Sequence, residues 1–332
     1  MANFHTEIQL QSSDEKFSHS DVFFAMGSCF STEVSKKIAE RKFKICTNPF
    51  GILFHPLAIE NALIRIYSLQ HYQISELFHF KELYLSWDHH SEFNDTQSGK
   101  MLSKINDSID IAYDYLRNSN VIFITLGTSF VYKLNSMQLP VANCHKVPNS
   151  QFTKFLLTEN EIVESLQSCV DIIQDISKNN PKIIFTVSPV RHIKDGFVEN
   201  TISKARLLNS VFEITSKNKN TEYFPSFEIM LDELRDYRYY KQDMLHPNEL
   251  AIEYIWEKFS SVYFQDKTIQ LNDEIEKLQT GLQHKPFNNK TLAHKEFLYQ
   301  LMKKFQEIEK KLYPNACLDE FTFLKSQLEH AY

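Results

Sequence analysis

Three short runs carry apolar residues at successive positions rather than alternate ones: Asp21–Met26 (DVFFAM), Val121–Leu126 (VIFITL) and Lys182–Val187 (KIIFTV). A strand with one wet face alternates polar and apolar residues. A strand that is apolar throughout must be covered on both faces. Between the runs lie patterns with helical spacing. Thr32–Lys42 places Val34, Ile38 and Ala39 on one side, and similar patterns occupy Leu57–Leu69, Ile105–Leu116, Asn160–Lys178, Glu199–Lys217 and Asn248–Ser260. Shorter strands are expected at Phe43–Cys46 and Glu222–Phe224, with a short helix at Ile229–Leu234. Strand and helix thus alternate from about residue 21 to 263, which predicts an α/β fold: a parallel sheet inside a three-layer α/β/α sandwich.

Two regions depart from the alternation. His71–Lys100 is aromatic and irregular and reads as a loop-rich insertion with some short strands. Beyond residue 265 the pattern is helical and polar, over Asn272–Leu282, Leu292–Lys311 and Leu318–Ala331. The expected organisation is a domain over residues 1–264, with the insertion at about 71–100, and a helical C-terminal extension over 265–332. That extension is expected either to form a homodimer or to close over a site.

Composition narrows the function classes. A formal net charge of −6 supplies no positive field for a phosphate backbone, so nucleic acid is not an expected partner. Even the Lys-rich stretch Lys303–Lys311 carries Glu307 and Glu309 and reads as a solvated helix face. The five cysteines are odd in number and include no CxxC pair, which fits reduced thiols rather than a metal or redox motif. The start, MANFHTEIQLQSSDEKF, has neither the basic nor the apolar region of a signal peptide. No apolar run approaches the ~18 residues a spanning helix needs. A cytoplasmic protein, with no membrane partner and no cofactor, is expected.

Open parallel sheets build their sites at the carboxyl ends of strands. Those ends read Gly27-Ser28-Cys29, Gly127-Thr128-Ser129, Ser188-Pro189-Val190-Arg191-His192 and, before the last helix of the sandwich, Asp243-Met244-Leu245-His246. The chain has only six glycines, and two of them stand directly after a strand. Ser28 occupies a strand-to-helix turn, where free amides and the helix dipole favour an oxyanion. By itself it reads as a helix cap. An Asp three residues before a His changes that reading. The carboxylate reaches Nδ1 and leaves Nε2 for a serine, and Pro247 restricts the His246 backbone. Cys29 is a competing nucleophile beside a helix N-terminus, but one step further round the turn it is expected to aim inward. Other polar candidates are Arg191, His145 and His192 near strand ends, His90 beside His89 and Asp88, and Trp87 with Tyr84 and Phe93 as a stacking platform. Adjacent histidines cannot readily face one ion, so no metal is assigned.

These motifs closely resemble the GSCFA family of the SGNH/GDSL hydrolase superfamily. The residues that carry the resemblance are Gly27-Ser28-Cys29-Phe30-Ser31, Asn48-Pro49-Phe50-Gly51, Leu126-Gly127-Thr128, Asn143-Cys144-His145-Lys146, Ser188-Pro189-Val190-Arg191-His192 and Asp243-Met244-Leu245-His246-Pro247. The resemblance implies a flavodoxin-like sandwich and a metal-independent serine esterase. Ser28 would be the nucleophile, His246 the base and Asp243 its orienting acid. The implied oxyanion donors are the Ser28 and Gly51 amides and an Asn side chain. The superfamily's Asn after the third strand is missing, since that motif reads Gly127-Thr128-Ser129 here. Asn143 is the preferred substitute and Ser129 the other. The implied substrate is a small-molecule or carbohydrate ester, with an acetylated carbohydrate preferred. An acyltransferase with the same triad and a catalytically silent binding or scaffold module are the alternatives.

Overall fold

The computed structural model describes residues 6–284 and 291–330. Residues 1–5, where no signal peptide is expected, and Ala331, the expected last helical residue, lie outside the described residues.

The sheet order is β10-β9-β5-β1-β2. Its strands are β1 (Val22–Gly27), β2 (Lys44–Thr47), β5 (Val121–Leu126), β9 (Lys182–Val187) and β10 (Thr221–Tyr223). All three expected apolar runs are central strands. The registers are parallel, with Phe23 opposite Val121, Leu126 opposite Val187 and Thr221 opposite Ile183. The helices are α1 (Cys29–Glu40), α2 (Pro56–Tyr67), α3 (Ser98–Asn118), α4 (Glu159–Ile176), α5 (Phe197–Lys217), a single turn α6 (Ser226–Glu228) that continues as a π-turn over Ile229–Glu233, and α7 (Glu249–Tyr263). From β1 the chain moves outward to β2, then returns to the other side for β5, β9 and β10. The order therefore reverses between β1 and β5, and a crevice is expected at the carboxyl ends of those two strands.

Alternation within each strand fills both faces of the sheet. Phe24, Met26, Ile122, Ile124, Ile183 and Phe185 join one apolar cluster with Ile59 and Leu63 of α2, Ile105 of α3, Leu166 of α4 and Leu207 of α5. The residues between them, Phe23, Ala25, Phe123 and Ile184, point the other way and are equally buried. A parallel sheet buried on both faces and flanked by helices is the three-layer α/β/α arrangement expected from the sequence.

The irregular insertion contains a short hairpin, β3 (Phe78–Phe80) and β4 (Leu83–Leu85), between two 3-10 turns. The sequence pattern did not reveal a second small sheet, order β7-β6-β8, made of β6 (Phe130–Leu134), β7 (Leu139–Val141) and β8 (Phe152–Leu156). These strands are three to five residues long, and β7 contains Pro140 on a sheet edge. Their core is correspondingly small: Leu134, Val141, Val147 and Phe152, joined by Phe78, Phe80 and Trp87 from the insertion.

The chain divides into two compact units. The first comprises residues 1–9, 22–35 and 45–257, and the second residues 10–21, 36–44 and 258–332. The second unit contains α8 (Asp266–Gln283), α9 (Leu292–Glu309) and α10 (Leu318–His330). Ile275, Leu298, Leu301, Phe305, Cys317 and Leu324 form its own apolar core. Within it, Arg41 pairs with Glu276 at 3.1 Å and Lys42 with Glu320. Among the described residues no helix is long and apolar enough to cross a membrane.

Candidate active site

The β1–α1 turn is shaped by Gly27. Its φ is +135°, and a methyl group there would lie 2.1 Å from the Thr125 carbonyl oxygen of the neighbouring strand. Only glycine fits, so the chain can turn hard against β5. The Gly27 amide donates to Asn48 Oδ1 at 2.9 Å, and Asn48 Nδ2 donates to Thr32 Oγ1 at 3.0 Å. Asn48 thus binds the end of β1 to the first turn of α1.

This geometry leaves Ser28 only 2% exposed, and its hydroxyl has no hydrogen-bond partner. Cys29, expected to point inward, is half-buried, less deeply than Ser28. The difference has a local cause: the tight turn at Gly27 directs Ser28 toward Gly127, where an added methyl would lie 3.3 Å from Ser28 Cβ. Burial pushes the Cys29 thiol up, while Lys204 and the amides of Phe30 and Cys29 act the other way.

Asp243 and His246 form a self-contained pair. Asp243 Oδ2 lies 2.6 Å from His246 Nδ1, and Oδ1 accepts the amides of Leu245 at 2.9 Å and His246 at 3.0 Å. Donation by the His246 amide, then the Leu245 amide and the ring, holds the Asp243 carboxyl down at about 2. The loop that carries the pair is tied to both sides of the sheet end. Leu245 O accepts the Arg191 amide at 3.1 Å from the segment after β9. Lys241 pairs with Glu33 of α1 at 3.1 Å. The unpartnered Ser28 hydroxyl means that no hydrogen bond joins it to His246 in this state.

Every proposed oxyanion donor is engaged within the protein. The Ser28 amide donates to Thr125 O at 3.0 Å, and the Gly51 amide to Asn48 O at 2.7 Å. Asn143 Nδ2 donates to Ser91 Oγ at 3.1 Å. The Ser129 amide donates to Ser203 Oγ at 2.8 Å, and the Ser129 hydroxyl to Ser203 O at 3.1 Å. The Gly127 and Thr128 amides both donate to Phe54 O, at 2.8 and 2.9 Å.

The remaining candidates separate into cleft and scaffold. A cleft of about 390 Å³ is lined by Phe54, Thr128 and Phe130 together with His90, Asn143, His145 and His192. Phe54 also packs at Gly127: a methyl added there would lie 3.3 Å from the Phe54 ring and 3.3 Å from Ser28 Cβ. His192 and His90 each present an Nδ1 without a hydrogen-bond partner. His145 uses both ring nitrogens, on Ser86 O at 2.7 Å and Ser91 Oγ at 3.3 Å. Trp87 stacks on Phe78 at 3.7 Å, so its ring serves the small core. Arg191 lies over the Tyr240 ring at 4.2 Å and the Tyr237 ring at 5.1 Å. It braces the loop leading to Asp243. His89 is stacked on Phe50 at 4.5 Å, and burial pushes it down to about 3. Among the described residues no group of three or more His, Cys, Asp or Glu side chains could hold a metal.

Lys204 of α5 escaped the sequence reading. Its side chain is 2% exposed and donates to Ser188 O at 2.7 Å. A signal was present: Lys204 shares a helical face with Leu207, Leu208 and Val211, an apolar stripe where a lysine is out of place. His55 was missed as well. It caps α2 by accepting the Ala58 amide at 3.1 Å and reaches Val141 O at 3.1 Å, which joins α2 to the second sheet.

Comparison with family models gives two matches. Residues 22–259 match the GSCFA family, and residues 275–330 match the GSCFA domain protein, C-terminal domain. No curated protein sequence matches the chain.

Proposed function

Since the chain belongs to the GSCFA family, we propose that it is a serine ester hydrolase of the SGNH/GDSL type acting through Ser28, His246 and Asp243. The observation that carries this reading is the 2.6 Å Asp243–His246 pair, on a loop tied to α1 by Lys241–Glu33, with Ser28 at the start of that helix. The switch of strand order between β1 and β5 supports it independently.

In the proposed reaction Ser28 Oγ attacks the acyl carbon while His246 Nε2 takes its proton. Asp243 holds the ring through Nδ1 and stabilises the imidazolium. The carbonyl π pair moves onto oxygen and returns as the alkoxide leaves. His246 gives its proton to that leaving group. Water then repeats the sequence on the acyl-enzyme and releases the acid. With an alcohol in place of water, the same steps transfer the acyl group. The substrate is a small-molecule or carbohydrate ester, an acetylated sugar by analogy with the superfamily, and the 390 Å³ cleft beside Phe54 would take its polar group.

A second reading is favoured by one observation. The Ser28 hydroxyl is buried and unpartnered, and the candidate oxyanion amides are engaged, as in a binding module that has kept the fold without the chemistry. Incubation with a fluorophosphonate probe and with p-nitrophenyl acetate separates the two. Labelling and acetate release that vanish in Ser28→Ala and His246→Ala support the hydrolase. An inert wild type sinks it in favour of the binding module. Activity that survives in Ser28→Ala but is lost in Cys29→Ala assigns the nucleophile to the thiol.

A further inference from the structure

The site has candidate electrophile-stabilising amides that are already engaged, and next to them a buried cation that is barely engaged. We propose that Lys204 is a further catalytic residue of this site, its ammonium supplying the positive charge that stabilises the oxyanion formed on Ser28. The inference rests on the hydrolase reading above.

The geometry runs continuously from Ser28 to Lys204. Ser28 Cβ packs against Gly127. The next two residues, Thr128 and Ser129, are held by Ser203: Thr128 Oγ1 lies 3.0 Å from Ser203 Oγ, and the Ser129 amide lies 2.8 Å from it. Lys204 follows Ser203 directly and reaches the carboxyl end of β9, where Ser188 O accepts from Nζ at 2.7 Å. Its charge bears on Cys29, the residue after the nucleophile. The ammonium thus sits at the end of β9, next in sequence to the serine that ties down the end of β5, and acts electrostatically on Cys29 after β1. An ammonium has three donors, and among the described residues Ser188 O is the only acceptor hydrogen-bonded to this one. Among the described residues no carboxylate pairs with it, and the Phe227 ring lies 5.8 Å away.

A buried lysine without a carboxylate is costly, and burial pushes Lys204 down to about 7, opposed only by Cys29. The charged and titratable groups around it are Cys29 on α1, with Glu33 beyond, and His192 after β9, with Lys194, Lys154 and Asp195 behind it. Because the folded value lies below the ordinary 10.5, the folded protein holds fewer protons than the unfolded chain between about 7 and 10.5. Stability therefore rises with pH across that window and is lowest, and flat, below about 7. A developing oxyanion supplies the negative charge that Lys204 otherwise lacks, and in a water-poor site that interaction is strong.

The test compares wild type, Lys204→Met and Lys204→Arg by p-nitrophenyl acetate hydrolysis, fluorophosphonate labelling and thermal unfolding from pH 5 to 9. Wild-type kcat/KM should fall as pH rises through about 7, as the ammonium loses its proton. Lys204→Met should lose about 100-fold in kcat with KM little changed. It should nevertheless unfold a few degrees higher at pH 6, since it no longer buries a charge. Lys204→Arg should retain activity and move the alkaline limb upward in pH. An active wild type whose Lys204→Met variant keeps both rate and limb overturns this inference and leaves the hydrolase reading in place. An arginine variant with the limb unmoved does the same. A wild type inert at every pH takes down the hydrolase reading, and this inference with it.

Discussion

Ser28 and the Asp243–His246 pair are held in different ways. Ser28 is 2% exposed and its hydroxyl touches no partner. The Asp243 and His246 side chains are 43% and 40% exposed; two hydrogen bonds join these residues and a third ties Asp243 to Leu245, all within four residues of chain. The pair is built by local spacing. Two amides and a ring nitrogen converge on one carboxylate because the turn brings them there. Nothing local orients the Ser28 hydroxyl. It is buried by tertiary packing against Gly127, and its partnership with His246 would have to form across the fold when substrate enters. Apo hydrogen bonds in active sites are often open in this way and tighten in the complex.

This contrast breaks most sharply in a Ser28→Ala and His246→Ala comparison. Each should lower ester hydrolysis by at least about 10³-fold. Their stabilities should separate: Ser28→Ala removes an unpartnered hydroxyl, so its melting temperature should equal or exceed that of wild type, while His246→Ala removes the ring partner of Asp243. A Ser28→Ala protein that melts well below wild type would show that the hydroxyl has a structural partner.

The next largest effect falls on the backbone that buries Ser28. Gly27→Ala puts a methyl 2.1 Å from the Thr125 carbonyl oxygen at a φ of +135°. It should destabilise by about 4 kcal/mol or more, measured by urea denaturation. Loss of under about 1 kcal/mol would mean that the turn relaxes and that Ser28 is not rigidly placed. Ser203→Ala sharpens the comparison from the β5 side. It deprives the Ser129 amide and Thr128 hydroxyl of their partner and should cost about 1–3 kcal/mol by the same assay.

The smallest effect tests the exposed pair. The folded Asp243 carboxyl titrates at about 2 against an ordinary 3.8. Such a lowered group contributes stability that is present above 3.8 and lost as pH falls through about 2. An NMR titration should therefore find Asp243 still ionised at pH 3, with the His246 amide shift following the carboxyl. Titration of Asp243 near 3.8 would mean that the loop does not hold its pair in solution.

The amino-acid pattern alone settled the three central strands, because DVFFAM, VIFITL and KIIFTV leave no wet face and so demand cover on both sides. It likewise settled the local Asp243–His246 geometry, since three residues in a turn decide which atoms can meet. The small β7-β6-β8 sheet was not legible, because strands of three to five residues carry too little periodicity and draw their burial from contacts distant in sequence. Tertiary structure alone decided that Ser28 rather than Cys29 is the more buried of the two, through Gly27 packing on a neighbouring strand. It also decided which candidates face the cleft: His192 does, while Arg191 and Trp87 brace the scaffold. Lys204 belongs to both accounts. Its place on an apolar stripe can be read from the sequence, but its proximity to the Ser28–Cys29 turn arises only when α5 crosses the strand ends, because a side chain's charge acts through space, not along the chain.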